Sequence, residues 1–232
     1  MSSKTYPTNN TEQELFNSGY QFVLGIDEVG RGALAGPVAV GIAVLEASMH
    51  AGRTDWPAQL CDSKLISEKV REALFEPVGA WVAGYAVGMA SAVEIDQLGI
   101  TRCLSLAAER AVRELPAELR ARVGLNPQSA TAILDGSHNW LGPALGPVGS
   151  FVKTKADRDC VSVAAASVLA KVTRDRMMSD LAAIDESFAR FGIAGNKGYS
   201  SQQHLDALRE FGPVDQHRKT WLGKILGENQ LF

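Results

Sequence analysis

Apolar runs broken by turn residues divide this chain into strands and helices. Phe22-Val23-Leu24-Gly25-Ile26, within Gln21 to Asp27, is apolar without alternation, the pattern of a buried strand. The glycine-rich turn Gly30-Arg31-Gly32 comes next, and Pro37 to Leu45 predicts a second strand returning beside the first as a hairpin. Ser67 is placed to cap a helix running towards Gly79. Trp81 to Met89 reads as a strand with small residues interspersed. From Ser91 to about Leu115, the residues Ile95, Leu98, Cys103, Leu106 and Val112 contribute the apolar stripe of one amphipathic helix. Short strands are expected over Ala130 to Leu134 and Val148 to Val152. A long Ala-rich helix from Asp159 to about Ile184, a helix over Ser201 to Phe211 and a short one over Trp221 to Leu226 complete the set. Residues 1–20 form a loose arm or a short helix. Strands early and helices mostly late predict an α/β fold around a mixed sheet, with a small helical C-terminal part.

Composition narrows the class. The 232 residues are 46% apolar and 21% charged, which supports a buried core and excludes a disordered or fibrous chain. The longest apolar run, Ala33 to Leu45, carries Gly and Pro and is too short to span a bilayer. The polar first 20 residues lack the basic-then-apolar order of a secretory signal. Cys61, Cys103 and Cys160, odd in number and scattered, fit buried thiols in a reducing cytoplasm, not a disulfide frame or zinc site. The net charge of −3 is unevenly spread. Residues 151–224 hold 12 Lys and Arg against 9 Asp and Glu, whereas residues 1–150 hold 11 against 16. The last third can therefore face phosphates, although on charge alone a mixed solvated surface is the better reading.

The carboxylates change the picture more. Asp27-Glu28 end a buried strand, where two adjacent acids are costly unless they bind something. Strand alternation sends them to opposite faces unless the strand bends there. Asp135 repeats the pattern after Thr131-Ala132-Ile133-Leu134, and Asp157 follows the last short strand near the start of the long helix. Each acid alone is equally well a loop residue or helix cap; the recurrence of apolar strand then acid weakens that explanation. Open α/β sheets bind ligands at the carboxyl ends of their strands. Acids converging there repel one another, and Mg²⁺ or Mn²⁺ suits an all-oxygen ligand set.

Gly30-x-Gly32-x-x-x-Gly36 has the wrong spacing for a dinucleotide fingerprint and precedes a strand-like run. Its glycines leave backbone N–H and C=O groups open around Arg31 to touch a sugar–phosphate, a role compatible with a tight hairpin. Ser167, Lys171 and Arg174 share a helix face that can meet a phosphate backbone; a solvated stripe or a Lys171–Asp175 ion pair are the alternatives. Tyr199 is either a core plug or a ring offered to a base or sugar. His204 and His217 fit surface or packing positions better than ligand positions.

Taken together these segments resemble the type 2 ribonuclease H family, ribonuclease HII. The matching stretches are Gly25-Ile26-Asp27-Glu28-Val29-Gly30-Arg31-Gly32, Asp62-Ser63-Lys64, Leu134-Asp135-Gly136, Lys155-Ala156-Asp157 leading into Ser162 to Asp175, Asn196-Lys197-Gly198-Tyr199, and Gly212-Pro213 with His217-Arg218. They span about residues 22–221. The family often has Gly where this chain has Ala156, before the fourth acid. The resemblance implies a ribonuclease H-like mixed sheet flanked by helices. Its implied parts are an arm over 1–20, a catalytic domain over 21–190 and a helical part over 191–232.

The resemblance also implies an endoribonuclease that hydrolyses the phosphodiester 5′ of ribonucleotides, in RNA–DNA hybrids and at single ribonucleotides in duplex DNA. The products would carry 3′-hydroxyl and 5′-phosphate ends. Asp27, Glu28, Asp135 and Asp157 become the catalytic acids of a two-metal site holding Mn²⁺ or Mg²⁺. Gly30, Arg31 and Gly32 sense the 2′-hydroxyl, Tyr199 stacks on the neighbouring sugar, and Lys64, Ser167, Lys171 and Arg174 contact phosphates. A cytoplasmic monomer is expected. The tail Gln230-Leu231-Phe232 resembles peptides that dock on the bacterial sliding clamp, although a frayed terminus or a packing tail is the better reading of so short a segment. Three other readings compete: a DNA nuclease of the same superfamily, a non-catalytic nucleic-acid binder with structural acids, and a metal-free ribonuclease using paired histidines.

Overall fold

The computed structural model describes residues 6–124 and 126–226. The expected tail, Gln230-Leu231-Phe232, lies outside the described residues. The core is a five-stranded mixed sheet of β1 (Phe22–Val29), β2 (Val38–Glu46), β3 (Gly84–Ala90), β4 (Ala130–Asp135) and β5 (Gly149–Lys153), in the order β3-β2-β1-β4-β5. β1 and β2 form the expected hairpin, β3 continues antiparallel, and β4 and β5 run parallel to β1. The longer helices are α1 (Asn10–Asn17), α2 (Glu68–Trp81), α3 (Ala92–Leu98), α4 (Ile100–Glu114), α5 (Ala117–Val123), α6 (Val161–Ile184) and α7 (Gln202–Phe211).

Strand periodicity assigns the two cores. Phe22, Leu24, Ile26, Val40 and Ile42 face Cys103, Leu104, Ala107 and Ala111 of α4. Val23, Ala43, Leu45 and Ile133 face Val163, Ala164 and Val168 of α6, with Leu74 and Val78 of α2. A third cluster joins Leu34 and Ala35 to Met178, Phe188, Phe191, Leu208 and Leu222, tying the C-terminal helices to the far end of α6. Cys61, Cys103 and Cys160 are all buried and none forms a disulfide. Among the described residues no helix is long and apolar enough to cross a membrane.

Four local expectations change, each for a visible reason. The single helix over Ser91 to Leu115 is two, because Gly99 adopts φ +78° and ends α3, whose start is a capping box of Ser91 and Glu94. α5 was not expected, although Pro116 before it and left-handed Gly124 after it mark its ends. The long helix starts at Val161, after a separate turn over Ala156–Asp159, because extended Cys160 bridges to Thr8. Its first half, Val161 to Ala170, is buried all round instead of on one face.

Of the two expectations for the N-terminal segment, the described residues bear out the short helix, α1, which is docked on α6. The Glu12 carboxylate is buried and accepts from the backbone N–H and the hydroxyl of Ser162, capping the N-terminus of α6. Burial pushes the Glu12 carboxyl above its ordinary value despite these bonds.

Candidate active site

The strand order brings the acids together. β1 and β4 are parallel neighbours whose last paired residues are Ile26 and Leu134. One step further stand Asp27 and Asp135, side by side at the carboxyl edge of the sheet. Asp135 Oδ1 accepts the backbone N–H of Ala156 at 2.7 Å, which pins the short turn carrying Asp157 against the end of β4. Lys155, at the head of that turn, takes a left-handed φ of +59°.

Asp27 is buried. Its Oδ1 accepts the Glu28 N–H at 2.8 Å, and the neighbouring Ser167 hydroxyl, which lies 2.8 Å from that of Ser63, favours its ionised form. Burial pushes the Asp27 carboxyl well above its ordinary range; Lys64 opposes the shift, and Glu28 and Asp135 reinforce it. Asp157 is pushed up to about 7, first by burial and then by the charges of Asp135 and Asp62. Lys64 Nζ lies 3.9 Å from Asp157. Desolvation works to lower the Lys64 ammonium, but Asp27, Asp157, Asp62 and Asp135 outweigh it and raise it. Lys64 is thus the counter-ion of the acidic edge. As placed, no three His, Cys, Asp or Glu side chains among the described residues close round a single point to enclose a cation.

The donor set nevertheless fits a hard divalent cation. It is all oxygen, and one of those oxygens, Glu28 Oε2, is buried without a hydrogen-bond partner. The other Glu28 oxygen takes Arg31 at 3.3 Å. Buried carboxyls raised by burial and mutual repulsion are relieved by added positive charge.

Asp27 and Glu28 line one cleft of about 360 Å³ with Gly30, Arg31, Gly32, Ser63, Lys64, Lys171 and Tyr199. The cleft reaches round the end of β1, so both acids border it although alternation separates them. Tyr199 enters at its far wall, and its hydroxyl accepts the Gly30 N–H at 3.1 Å. Lys171 lines the cleft and also makes the ion pair with Asp175 at 2.7 Å, and its ammonium sits 5.4 Å from the centre of the Tyr199 ring.

Two expected phosphate contacts stand elsewhere. Arg174 is fully buried, and its nitrogens donate to the carbonyls of Pro37, Lys197 and Ala35. It shares the helix face with Ser167 and Lys171, but where Lys171 reaches the cleft, Arg174 meets the turn after β1. Ser167 is buried, with its hydroxyl on that of Ser63 and beside Asp27. His204 and His217 are buried, with their Nε2 atoms 3.0 Å apart, and neither lines the cleft. Burial pushes His217 down to about 4, and His204 adds to the effect. A histidine-pair ribonuclease therefore lacks support.

Asp62 and Ser63 join the site although local sequence pattern does not single either out. Asp62 is buried and holds the Lys64 N–H at 2.8 Å and the Arg158 guanidinium at 3.2 Å, so it aims Lys64 at the acids. The sequence signal available was an acid, a serine and a lysine in a row.

The family model described as Ribonuclease HII matches residues 24–224. Ribonuclease HII of Streptomyces griseus is 44% identical over 218 residues, covering 93% of this chain and 84% of its own length. That of Thermus thermophilus is 41% identical over 197 residues, covering 85% of this chain and 84% of its own. Ribonuclease H2 of Pyrococcus horikoshii shares the fold with a TM-score of 0.67 at 24% identity, over 90% of this chain and 98% of its own. The RNase HII of Archaeoglobus fulgidus, solved as a complex with PCNA, gives 0.61 at 24% identity, over 86% and 93%. Bst-RNase HIII, solved with Mn²⁺, gives 0.59 at 20% identity, over 84% and 64%. The strand-end acids and the glycine turn thus lie within the span that the family model and these relatives match, and the protein belongs to the ribonuclease HII family of ribonuclease H endonucleases, hydrolases of RNA–DNA hybrids.

Proposed function

We propose that this cleft hydrolyses the phosphodiester 5′ of a ribonucleotide, both in RNA–DNA hybrids and at a single ribonucleotide embedded in duplex DNA, leaving 3′-hydroxyl and 5′-phosphate ends. One observation carries the reading: the Gly30–Gly32 turn, the Tyr199 hydroxyl and the acids Asp27 and Glu28 border the same cleft. An embedded ribonucleotide differs from its neighbours by one 2′-hydroxyl. Recognition therefore needs backbone groups at contact distance beside the hydrolytic acids, and Gly30 and Gly32 allow that approach. The Tyr199 ring presents a face for the adjoining sugar. Arg31 and Lys64 supply positive charge at the mouth for the phosphates, with Lys171 on the same wall.

Asp27, Glu28, Asp135 and Asp157 are the residues that would hold Mg²⁺ or Mn²⁺. A pair of such cations, when bound, supplies an activated water and neutralises charge on the phosphate. The chain's own contribution is orientation. The Glu28 N–H holds the Asp27 carboxylate, with Ser167 beside it and Ser63 on Ser167, while Ala156 holds Asp135 and Asp62 aims Lys64. The Mn²⁺ found in Bst-RNase HIII supports the choice of cation.

The testing experiment is cleavage of a duplex carrying one ribonucleotide, beside an all-DNA control, in Mg²⁺, Mn²⁺ and EDTA. Metal-dependent nicking 5′ to the ribonucleotide with the control intact is expected. Cutting of both duplexes would replace this reading with a DNA nuclease, and no cutting by folded protein would leave a binding module. A clamp partner for Gln230-Leu231-Phe232 belongs to the proposal, supported by the PCNA complex of the Archaeoglobus protein. Unchanged clamp affinity after removing those three residues would dismiss it.

A pH dependence follows from Asp157. In the cation-free protein its carboxyl titrates near 7, so the folded chain holds a proton that the unfolded chain has already released. Cation-free stability therefore declines as pH rises from the ordinary carboxylate value to about 7. Cation binding must displace the proton, so apparent Mn²⁺ affinity should rise over the same window. Titration calorimetry at about pH 6 and about pH 8 brackets that titration. Tighter binding at the higher pH is expected; equal affinities would remove Asp157 from the ligand set.

A further inference from the structure

A guanidinium with no carboxylate beside it lies beneath the turn that borders the cleft. Arg218 is fully buried, and no acidic side chain comes within ion-pair distance of it among the described residues. Burial, and then the nearby Arg174, push it down to about 9. An unpaired buried charge is costly, and an apolar residue would fill the same space at lower cost. The charge is kept by a fork of donors to main-chain carbonyls. Nη2 donates to Gly30 at 2.7 Å and to Gly36 at 3.1 Å, Nη1 to Arg31 at 2.9 Å, and Nε to Gly36 at 3.1 Å.

The consequence lies on the opposite side of two peptide planes. The chain has no cis peptide bonds among its described residues. In a planar trans peptide the C=O of one residue and the N–H of the next point in opposite directions. Drawing the carbonyls of Gly30 and Arg31 down to Arg218 therefore turns the N–H groups of Arg31 and Gly32 away from it, towards the cleft those residues line. Neither N–H donates to another protein group among the described residues. The same segment is stitched to the turn: Arg218 N–H donates to Leu34 and Gly36 N–H to Gln216.

We propose that Arg218 is a specificity-determining positioning residue, which orients the Arg31 and Gly32 amides as donors to the ribonucleotide by holding the carbonyls behind them. This rests on the reading that the Gly30–Gly32 turn senses the 2′-hydroxyl. Lysine keeps the charge but carries its donors on a single nitrogen, without the planar fork that reaches the Gly30, Arg31 and Gly36 carbonyls from three nitrogens. The test uses the full chain as wild type, Arg218→Lys and Arg218→Ala, with folding followed by thermal unfolding. Fluorescence anisotropy in EDTA compares affinity for a duplex with one ribonucleotide and for its all-DNA counterpart, and kcat and KM are measured on the former in Mn²⁺.

The wild type should prefer the ribonucleotide duplex. Folded Arg218→Lys should lose most of that preference with its all-DNA affinity unchanged, and its kcat/KM on the ribonucleotide duplex should fall about tenfold to 10²-fold. A merely structural arginine would lower both affinities together. Wild-type preference and kcat/KM in folded Arg218→Lys overturn the inference. Absence of preference in the wild type overturns instead the 2′-hydroxyl reading beneath it. Should neither variant fold, amide exchange at Arg31 and Gly32 of the wild type decides. Slowing on adding the ribonucleotide duplex, but not the all-DNA one, supports the orientation, and equal exchange in both overturns it.

Discussion

Asp27→Asn should lose turnover by about 10³-fold or more while its affinity for a ribonucleotide-containing duplex survives or improves. Asparagine matches aspartate in shape and keeps an oxygen for the Glu28 N–H. What disappears is the charge, at the junction of the β1 and β4 strand ends. Removing a negative charge beside the phosphates weakens repulsion, which is why binding should hold. Stability should move the other way from activity. The Asp27 carboxyl is raised by burial, so its ionised form costs folding free energy above the ordinary carboxylate value, and that cost grows as pH rises. The neutral amide escapes it. Asp27→Asn should therefore melt no lower than the parent at neutral pH, the trade expected where a site is held in a strained charge state. Wild-type turnover in this variant would falsify the assignment of Asp27, and a lowered melting temperature would contradict the account of its burial.

Gly25→Ala should destabilise the fold by about 3 kcal/mol and lower the melting temperature by roughly 10 °C. A Cβ on Gly25 would stand 2.2 Å from the Ser162 carbonyl carbon, 2.3 Å from its oxygen and 2.5 Å from the Val163 nitrogen. All three are backbone atoms of α6, so no side chain can swing aside, and the helix must lift from the sheet. The lift propagates to the site, because Ser162 receives the Glu12 cap and Ser167, just over one turn on, stands beside Asp27 and bonds Ser63. Metal-dependent turnover should fall with stability. Gly149→Ala is the control, since a Cβ there meets nothing within 4 Å. Thermal unfolding of both variants checks the prediction, and an unchanged melting temperature for Gly25→Ala would mean that the helix is not seated on the strand as described.

Much of this was readable from the residues. The apolar runs of β1, β2 and β4 announce buried strands because burial on both faces leaves no polar alternation. Asp27, Glu28 and Asp135 stand out because an acid ending such a run has no apolar reason to be there. The Lys171–Asp175 pair was available from i,i+4 spacing alone. The division of the helix at Gly99 was less accessible, because the apolar stripe continues across it and a single glycine is tolerated in many helices. The neighbourhood of β1 and β4, on which the site depends, is a choice of strand order that local patterns do not encode.

Arg174 and Arg218 show the limit most plainly. In sequence each is a basic residue in a basic third of the chain, and helix spacing puts Arg174 on one face with Lys171. Local periodicity records which residues share a face, not what that face meets. The sequence by itself determined the strand and helix inventory, the acids at the strand ends and the glycine turn, because these follow from periodicity, burial cost and backbone freedom over a few residues. Only the tertiary structure decided that Lys171 borders the cleft while Arg174 lies beneath the turn, that Ser167 serves Asp27, and that Arg218 grips the carbonyls of Gly30 and Arg31. Those outcomes depend on which distant segments pack together, and the free energy of burying a guanidinium is settled by partners more than a hundred residues away.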